Sequence, residues 1–316
     1  LSPEAQIPHE VHKAGGPAEQ KKSTGEQNSP IQNPRSFAGQ ISQEQLAETT
    51  QGWEERIAEE VGGSADGRLN ILLLGVDARD KELSRSDSII LASINTRDFT
   101  AAILSVMRDT YVNIPTFKPI KNRINTAYTI GGPELALKTV SNLLQVPINY
   151  YIVADFKGFE KAVDAVGGIE VEVEKRMDYV DDGRYDIHLK AGKQILNGHQ
   201  ALGYARFRHD PRGDYARVER QRKILKAILT KIQGVQAVYY LPKILEAVKP
   251  YLITNLDLTG LASLAYLGYK LNGVNTYTVP SEGSHTAITI NGMSVLVPDL
   301  EKIRRETRKY LQQGGD

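Results

Sequence analysis

The sequence predicts an α/β domain, a mixed sheet with helices on both faces. Two observations predict it. From Arg68 onward, short apolar runs alternate with stretches of helical apolar spacing, without internal repeats. The first three runs are also joined by connections too short for parallel crossovers, so part of the sheet must be antiparallel.

The elements follow in order. RLNILLLGV (68–76) has the pattern of a buried strand, with Gly75 near its end; SIILASIN (88–95) and AAILSVM (101–107) are two more. Their loops, 77–87 and 96–100, leave no room for the dozen residues of a crossover, so the three form an antiparallel meander. PELALKTVSNLLQ (133–145) opens with Pro at a helix start. YYIVADF (150–156) is a strand, a helix follows, and IEVEVE (169–174) alternates as a half-exposed strand. Helices are expected from about Gly198, Asp214, Pro242 and Leu258. Strands are expected over 274–279 and 285–290, and a last helix from Pro298.

Residues 1–66 differ in kind. They hold five of the fourteen prolines, many Gln, Glu, Ser and Gly, and only Phe37 and Trp53 as aromatics. Such a segment cannot bury enough apolar surface to offset chain entropy. It reads as a polar, largely disordered stalk or linker with one short helix near 43–61, leaving 67–316 as the folded domain.

The totals exclude several classes. A formal net charge of +1 over 316 residues is too balanced for a protein coated in nucleic acid, so any anion site is local. Zero cysteines exclude disulfides and cysteine metal sites. The apolar runs fall far short of the about 20 residues that span a bilayer. The chain starts at Leu1 rather than Met, from which we expect a processed or truncated product with its anchor upstream.

The meander concentrates charge. Asp77 ends the first strand, Arg85 and Asp87 enter the second, and Arg108 and Asp109 end the third, so all converge on one edge. Arg85 and Asp87 are two apart and share a face in extended chain. Taken singly, such residues are more often structural, and exposed pairs contribute about 0–1 kcal/mol. Taken together, the carboxylates of Asp77 and Asp87 beside two arginines also suit Mg²⁺, which takes one or two carboxylates, water and substrate phosphates. Arginines then hold phosphate through paired N–H donors.

A second concentration is RFRHDPRGDYARVERQRK (206–223), with six arginines and one lysine. On a helix, Val218, Leu225, Leu229 and Ile232 make one apolar face, flanked by Ile224 and Ile228. Gln221 falls within that face and Arg217 at its border, whereas Arg220, Lys223 and Lys231 are expected to face solvent. An inward Gln is most often a satisfied core amide, and an inward Arg needs an anion. Arg206 and Arg208 share one side in extended chain, His209 is expected to be solvated, and Asp214 is a candidate N-cap. No helix-turn-helix partner precedes this helix, so no nucleic-acid partner is expected.

LLLGVDAR, RSDSIILASIN, ILSVMRDTYVNIP, RINTAYTIGG, GGIEVEVE, LNGHQALGYARFRHD and GDYARVERQRKIL occur in this order. Together they resemble the LytR–CpsA–Psr family of bacterial cell-envelope proteins, strongly over 68–232, weakly beyond, and not over 1–66. The resemblance implies a three-layer α/β/α sandwich with a central mixed sheet and a pocket for a lipid chain. It implies a phosphotransferase, anchored by an upstream single-pass helix on the extracytoplasmic face of the membrane. Such an enzyme moves a teichoic-acid-like or capsular glycopolymer from polyprenyl pyrophosphate to peptidoglycan, forming a phosphodiester.

By motif, Asp77 and Asp87 become the ligands of Mg²⁺, with Mn²⁺ as its substitute. Arg79, Arg85, Arg108, Arg206, Arg208, Arg217 and Gln221 become the pyrophosphate site, and Arg85, Arg108 and Asp77 the catalytic set. Asn125 is a lesser addition. Met107 stands where the family commonly has Pro, which removes a backbone restriction and no charge. Leu135, Leu137, Val140, Leu143 and Leu144 are candidates for the lipid groove, although such residues are more often plain core. Two other readings remain: a pyrophosphatase or non-catalytic binder of prenyl pyrophosphate, and a DNA-binding transcriptional attenuator.

Overall fold

The structure, a computed structural model, describes residues 51–52, 67–77, 85–180, 183, 185–233, 245 and 248–313. Arg79, most of the segment 1–66 and most of the helix expected from about Pro242 lie outside the described residues. Within the tail, Gln51 and Gly52 are described, and both are helical.

In chain order the strands are β1 (Arg68–Val76), β2 (Ser86–Asn95), β3 (Thr100–Val106), β4 (Tyr111–Ile114) and β5 (Ile120–Arg123), followed by helix α1 (Thr126–Leu144). Next come β6 (Tyr150–Asp155), α2 (Phe156–Ala165), β7 (Ile169–Val173), β8 (Met177–Tyr179), β9 (Ile187–Leu189) and β10 (Gly192–Leu196). The chain continues through α3 (Gly198–Arg206), α4 (Gly213–Ile232), β11 (Leu252–Thr254), α5 (Leu258–Lys270), β12 (Gly273–Val279), β13 (His285–Ile290), β14 (Met293–Pro298) and α6 (Leu300–Gln312).

The main sheet has the order β11-β6-β1-β2-β3-β12. β1, β2 and β3 form the expected antiparallel meander. Long connections bring β6 parallel to β1 and β12 parallel to β3, which makes the sheet mixed. On one face, Val140, Leu143, Leu144 and Ile303 from α1 and α6 pack with Leu72, Leu91 and Leu104. On the other, Leu225, Leu229 and Leu267 from α4 and α5 pack with Ile71, Ile90 and Ile103. Each fully buried Leu of these layers stabilises the fold by about 1.5–3 kcal/mol. The result is the three-layer sandwich.

Three sequence expectations change here. Helix α1 begins at Thr126, ahead of Pro133, because two helical pieces meet at Gly131 and Gly132, the latter at φ 63°. Pro133 opens the second piece, as its missing N–H favours. The residues offered for the lipid groove are core: Val140, Leu143 and Leu144 are buried under β1–β3, with Leu135 and Leu137 packed against them. Third, α4 is in contact on more than one side. Its Leu225 and Leu229 face the main sheet, while Ile224 joins a further core built from α2, α3 and β7 to β10. That second contact buries Arg220 to 2% exposure, whereas a single-faced helix would have placed it in solvent.

Candidate active site

Between β1, β2 and β6 on one side and α2, α3 and α4 on the other lies a cavity of about 710 Å³. Its walls are largely apolar, among them Leu73, Ile90, Ile152, Leu202, Leu225 and Ile228. Its polar lining includes Asp77, Asp87, Ser88, Arg206, Arg208, Arg217 and Gln221. Asp77 follows the last residue of β1, and Asp87 and Ser88 begin β2, so the polar groups from the sheet sit where β1 and its parallel neighbour β6 end. Open α/β sheets bind ligands at such carboxyl ends.

Local structure explains each placement. Gly75 pairs with Ser88 and Val76 with Ser86, so Asp87 is the extra residue of a β-bulge. Bulges re-aim side chains beside functional sites. Helix α3 opens with a capping box: Gln200 N–H donates to Asn197 Oδ1 (2.9 Å) and Asn197 N–H to Gln200 Oε1 (3.1 Å). Gly198 permits the close approach of α3 to α2, since a Cβ there would collide with the Glu160 backbone. The helix ends at Arg206 because Phe207 turns to φ −57°, ψ 128°, after which Arg208 also lines the cavity. Arg206 stacks its guanidinium on Phe156 (4.7 Å) and Tyr185 (5.2 Å).

Behind these groups the charges interlock. Arg108 Nη1 donates to Asp87 Oδ1 at 2.7 Å, and its Nε lies 3.6 Å from Asp109 and 3.9 Å from Asp214. Arg217 Nη2 lies 2.8 Å from Asp214 Oδ1 and donates to the Asp87 carbonyl at 3.1 Å. Arg208 reaches the same Asp214 oxygen at 3.5 Å, and Arg123 reaches Asp109 at 3.2 Å. Four guanidinium groups (Arg108, Arg123, Arg208, Arg217) thus share three carboxylates (Asp87, Asp109, Asp214).

Burial weighs on both inner arginines, with opposite outcomes. Burial pushes the Arg217 guanidinium down to about 10; Arg108 and Arg208 push the same way, while Asp214 and Asp87 oppose them. Arg108 is also penalised by burial, but Asp87, Asp214 and Asp109 outweigh this and hold it above its ordinary value. The Nε atoms of Arg108 and Arg217 are buried without a hydrogen-bond partner among the described residues. An under-matched, donor-rich cluster of this kind favours an anionic ligand.

The sequence-predicted residues divide. Asp77, Asp87, Arg206, Arg208, Arg217 and Gln221 all line the cavity, and Arg108 reaches it through Asp87. Arg85 is exposed just ahead of β2 and is not among the lining residues. Asn125 is buried, with its N–H donating to the Arg108 carbonyl at 3.3 Å, behind the site rather than in it.

Asp214 does not cap α4. The cap position is Arg212, without a side-chain cap bond, and Asp214 in the first turn is instead the common counter-ion of three arginines. The Asp214–Arg217 spacing of three on a helix was the legible signal for that role. Ser88, which the motifs did not single out, donates to Gln221 Oε1 at 3.1 Å. That bond leaves the Gln221 amide nitrogen as the donor toward the cavity.

Arg220, against expectation, serves structure. Its Nε lies 2.8 Å from Glu174, its Nη2 bonds Asp210, and its Nη1 donates to the Phe207 carbonyl at 2.9 Å. Lys175 adds bonds to Asp210 (2.5 Å) and to the His209 carbonyl (3.1 Å). Together they pin the 207–210 loop that carries Arg208 and His209. His209 is exposed, as expected, but it lines the cavity.

Among the described residues no group of three His, Cys, Asp or Glu side chains gathers to hold a metal ion. Asp77 and Asp87 do supply the one or two carboxylates that Mg²⁺ takes when phosphate and water complete its shell, so the donor set fits Mg²⁺ beside a phosphorylated ligand.

An α/β/α sandwich with an apolar cavity ending in aspartates and arginines defines a class, and comparison gives its name. The LytR_cpsA_psr family model matches residues 35–311, and the chain belongs to the LytR–CpsA–Psr family. The match begins about thirty residues before Gly67, inside the segment that the sequence motifs left outside the resemblance. The chain is 37% identical over 231 residues to regulatory protein MsrR of Staphylococcus aureus (strain COL), covering 72% of this chain and 68% of the relative. It is 33% identical over 279 residues to the polyisoprenyl-teichoic acid–peptidoglycan teichoic acid transferase TagV of Bacillus subtilis (strain 168), covering 84% and 71%. The crystal structure of B. subtilis TagV superposes with a TM-score of 0.67 at 32% identity, over 78% of this chain and 98% of that one. A structure of TagT bound to LI-WTA superposes at 0.62 and 26% identity, covering 78% and 92%.

Proposed function

We propose that this chain transfers a teichoic-acid-like glycopolymer from a polyisoprenyl pyrophosphate carrier to peptidoglycan, at the outer face of the cell membrane. The observation that carries the proposal is one cavity with an apolar wall and a polar lining of Asp77, Asp87, Arg206, Arg208, Arg217 and Gln221. The apolar part takes lipid chain; the charged part takes pyrophosphate. The name and substrate of TagV support the same reading.

In the reaction a hydroxyl of the acceptor sugar forms a bond to the phosphorus that bears the glycopolymer. The bridging P–O bond breaks and polyisoprenyl phosphate leaves. The hydroxyl proton passes to solvent, with Asp77 as a carboxylate able to relay it. Such transfers depend on positioning and charge neutralisation more than on covalent help. Arg108, Arg208 and Arg217 are set by Asp87 and Asp214 before substrate arrives, and pre-set donors of this type stabilise developing charge most. Mg²⁺ held by Asp77 and Asp87, with Mn²⁺ as substitute, would neutralise phosphate charge there.

A DNA-reading role fits poorly, because Arg217 and Arg220 of the basic helix are buried. Among the described residues no helix is long and apolar enough to cross a membrane.

The test is release of polyisoprenyl phosphate from a lipid-pyrophosphate saccharide, with Mg²⁺ or EDTA, with and without peptidoglycan oligomers. We expect Mg²⁺-dependent release, saccharide captured on peptidoglycan, and at least about 100-fold loss in Arg108→Ala. Release without capture would replace transferase by pyrophosphatase. No release from folded protein with the right lipid would remove the enzyme reading.

A further inference from the structure

The cavity carries an aromatic pair that lipid and pyrophosphate binding leave without a role. Tyr179 ends β8, and His209 lies in the loop after α3; both line the cavity. Their rings are 4.7 Å apart with a 35° tilt, and His209 lies 5.8 Å from the buried ring of Phe207. Tyr179 nevertheless keeps 38% exposure, and His209 is exposed.

Neither ring is on a loose support. The β8–β9 ribbon is anchored by Met177, Ile187 and Leu189, all buried. The His209 backbone is tied to Lys175, and the loop around it to Arg220. The two rings, in contact with each other, are therefore held in fixed places and still keep exposed surface where they line the cavity.

Position narrows the ligand. His209 follows Arg208, so its Cα lies about 3.8 Å from that of a residue in the arginine cluster. The aliphatic walls, Leu73, Ile90, Ile152 and Ile228, already suit the lipid chain. What stands beside a sugar-bearing phosphate is a sugar ring. A pyranose offers a C–H face for aromatic stacking and hydroxyls for the Tyr179 hydroxyl, the His209 imidazole and the half-exposed Arg208 guanidinium.

We propose that Tyr179 and His209 form a sugar subsite next to the phosphate cluster. The ring they stack belongs either to the saccharide on the lipid pyrophosphate or to the peptidoglycan acceptor. The subsite deepens the transferase reading and rests on it.

The experiment compares wild type with Tyr179→Ala, Tyr179→Phe and His209→Ala. Binding is measured for sugar-free polyisoprenyl pyrophosphate, for the same lipid bearing a saccharide, and for a peptidoglycan oligosaccharide. We expect the Ala variants to weaken one saccharide ligand about 3–10-fold and leave the sugar-free lipid unchanged, with Tyr179→Phe, which keeps the ring and loses the hydroxyl, weakened less than Tyr179→Ala. Loss confined to the saccharide-bearing lipid assigns the subsite to the donor, and loss confined to the oligosaccharide assigns it to the acceptor. Equal weakening of the sugar-free lipid would make the pair part of the lipid wall and overturn the proposal, as would no change for any ligand. If wild type fails to bind the sugar-free lipid, the transferase reading falls. The oligosaccharide arm still decides the subsite: affinity lost in Tyr179→Ala supports it, and unchanged or absent binding ends it.

Discussion

Arg217 and Arg220 stand three residues apart on α4 and are nearly equally buried, at 4% and 2% exposure. Their surroundings differ. Arg220 meets Glu174, Asp210 and the Phe207 carbonyl, with the Tyr204 and Phe207 rings against it. The carboxylates respond: burial raises Asp210 and Glu174, but bonds with Lys175 and Arg220, and with Tyr204 and Arg220, hold both below the usual carboxylate range. Arg217 shares Asp214 with two other arginines, leaves Nε unpartnered and is pushed down to about 10. Equal burial thus marks two opposite situations: a matched charge that holds a loop, and an under-matched one poised for an anion.

The largest test of this contrast is Arg220→Met. It removes one charged partner each from Glu174 and Asp210, which keep Tyr204 and Lys175, and stability measured by urea unfolding should fall by about 3 kcal/mol. A loss under about 1 kcal/mol would break the contrast. Arg217→Met removes the opposite kind of charge. Stability should change by no more than about 1 kcal/mol, while kcat for transfer falls at least about 100-fold, or about 2.7 kcal/mol of barrier. Equal damage to folding in both variants would mean that both arginines are structural.

Inorganic pyrophosphate sharpens the contrast further. At a hundred times its Kd it should stabilise wild type by about 2.7 kcal/mol in thermal unfolding, and Arg217→Met much less at the same concentration.

The smallest effect is on pH. Arg217 has a folded pKa below its unfolded value, so above about pH 10 the unfolded chain binds the extra proton and stability rises with pH. Wild type should therefore gain stability relative to Arg217→Met as pH is raised above about 10, read by urea unfolding at each pH. The Arg220 end titrates on the acid side. Asp210 is depressed, so its contribution is present above its unfolded value of 3.8 and is lost as pH falls through the folded value.

Much of this was legible in the sequence. Short loops at 77–87 and 96–100 required the meander, and the meander placed Asp77, Asp87 and Arg108 together. Motif order carried Arg206, Arg208, Arg217 and Gln221 to the same cavity. The failures have one cause in common. A helical wheel assumes one buried face, and α4 is buried on two, so Arg220 was misplaced. Local spacing suggests a cap for Asp214, but its partners Arg108 and Arg208 come from other elements. The lipid-groove candidates on α1 are equally apolar whichever face of the sheet they cover, and they lie on the face opposite the cavity.

By itself, the sequence determined the periodicities, the turns and the spaced motifs, and through them the layers of the sandwich and most of the charged site. These are local properties, set by chain geometry within a few residues. Only the tertiary structure decided which arginine is matched, where the cavity opens and which aromatic rings line it beside the arginine cluster. Each of those depends on partners far apart in the chain, such as Arg220 with Glu174 or Tyr179 with His209, whose distance is fixed by packing and not by spacing.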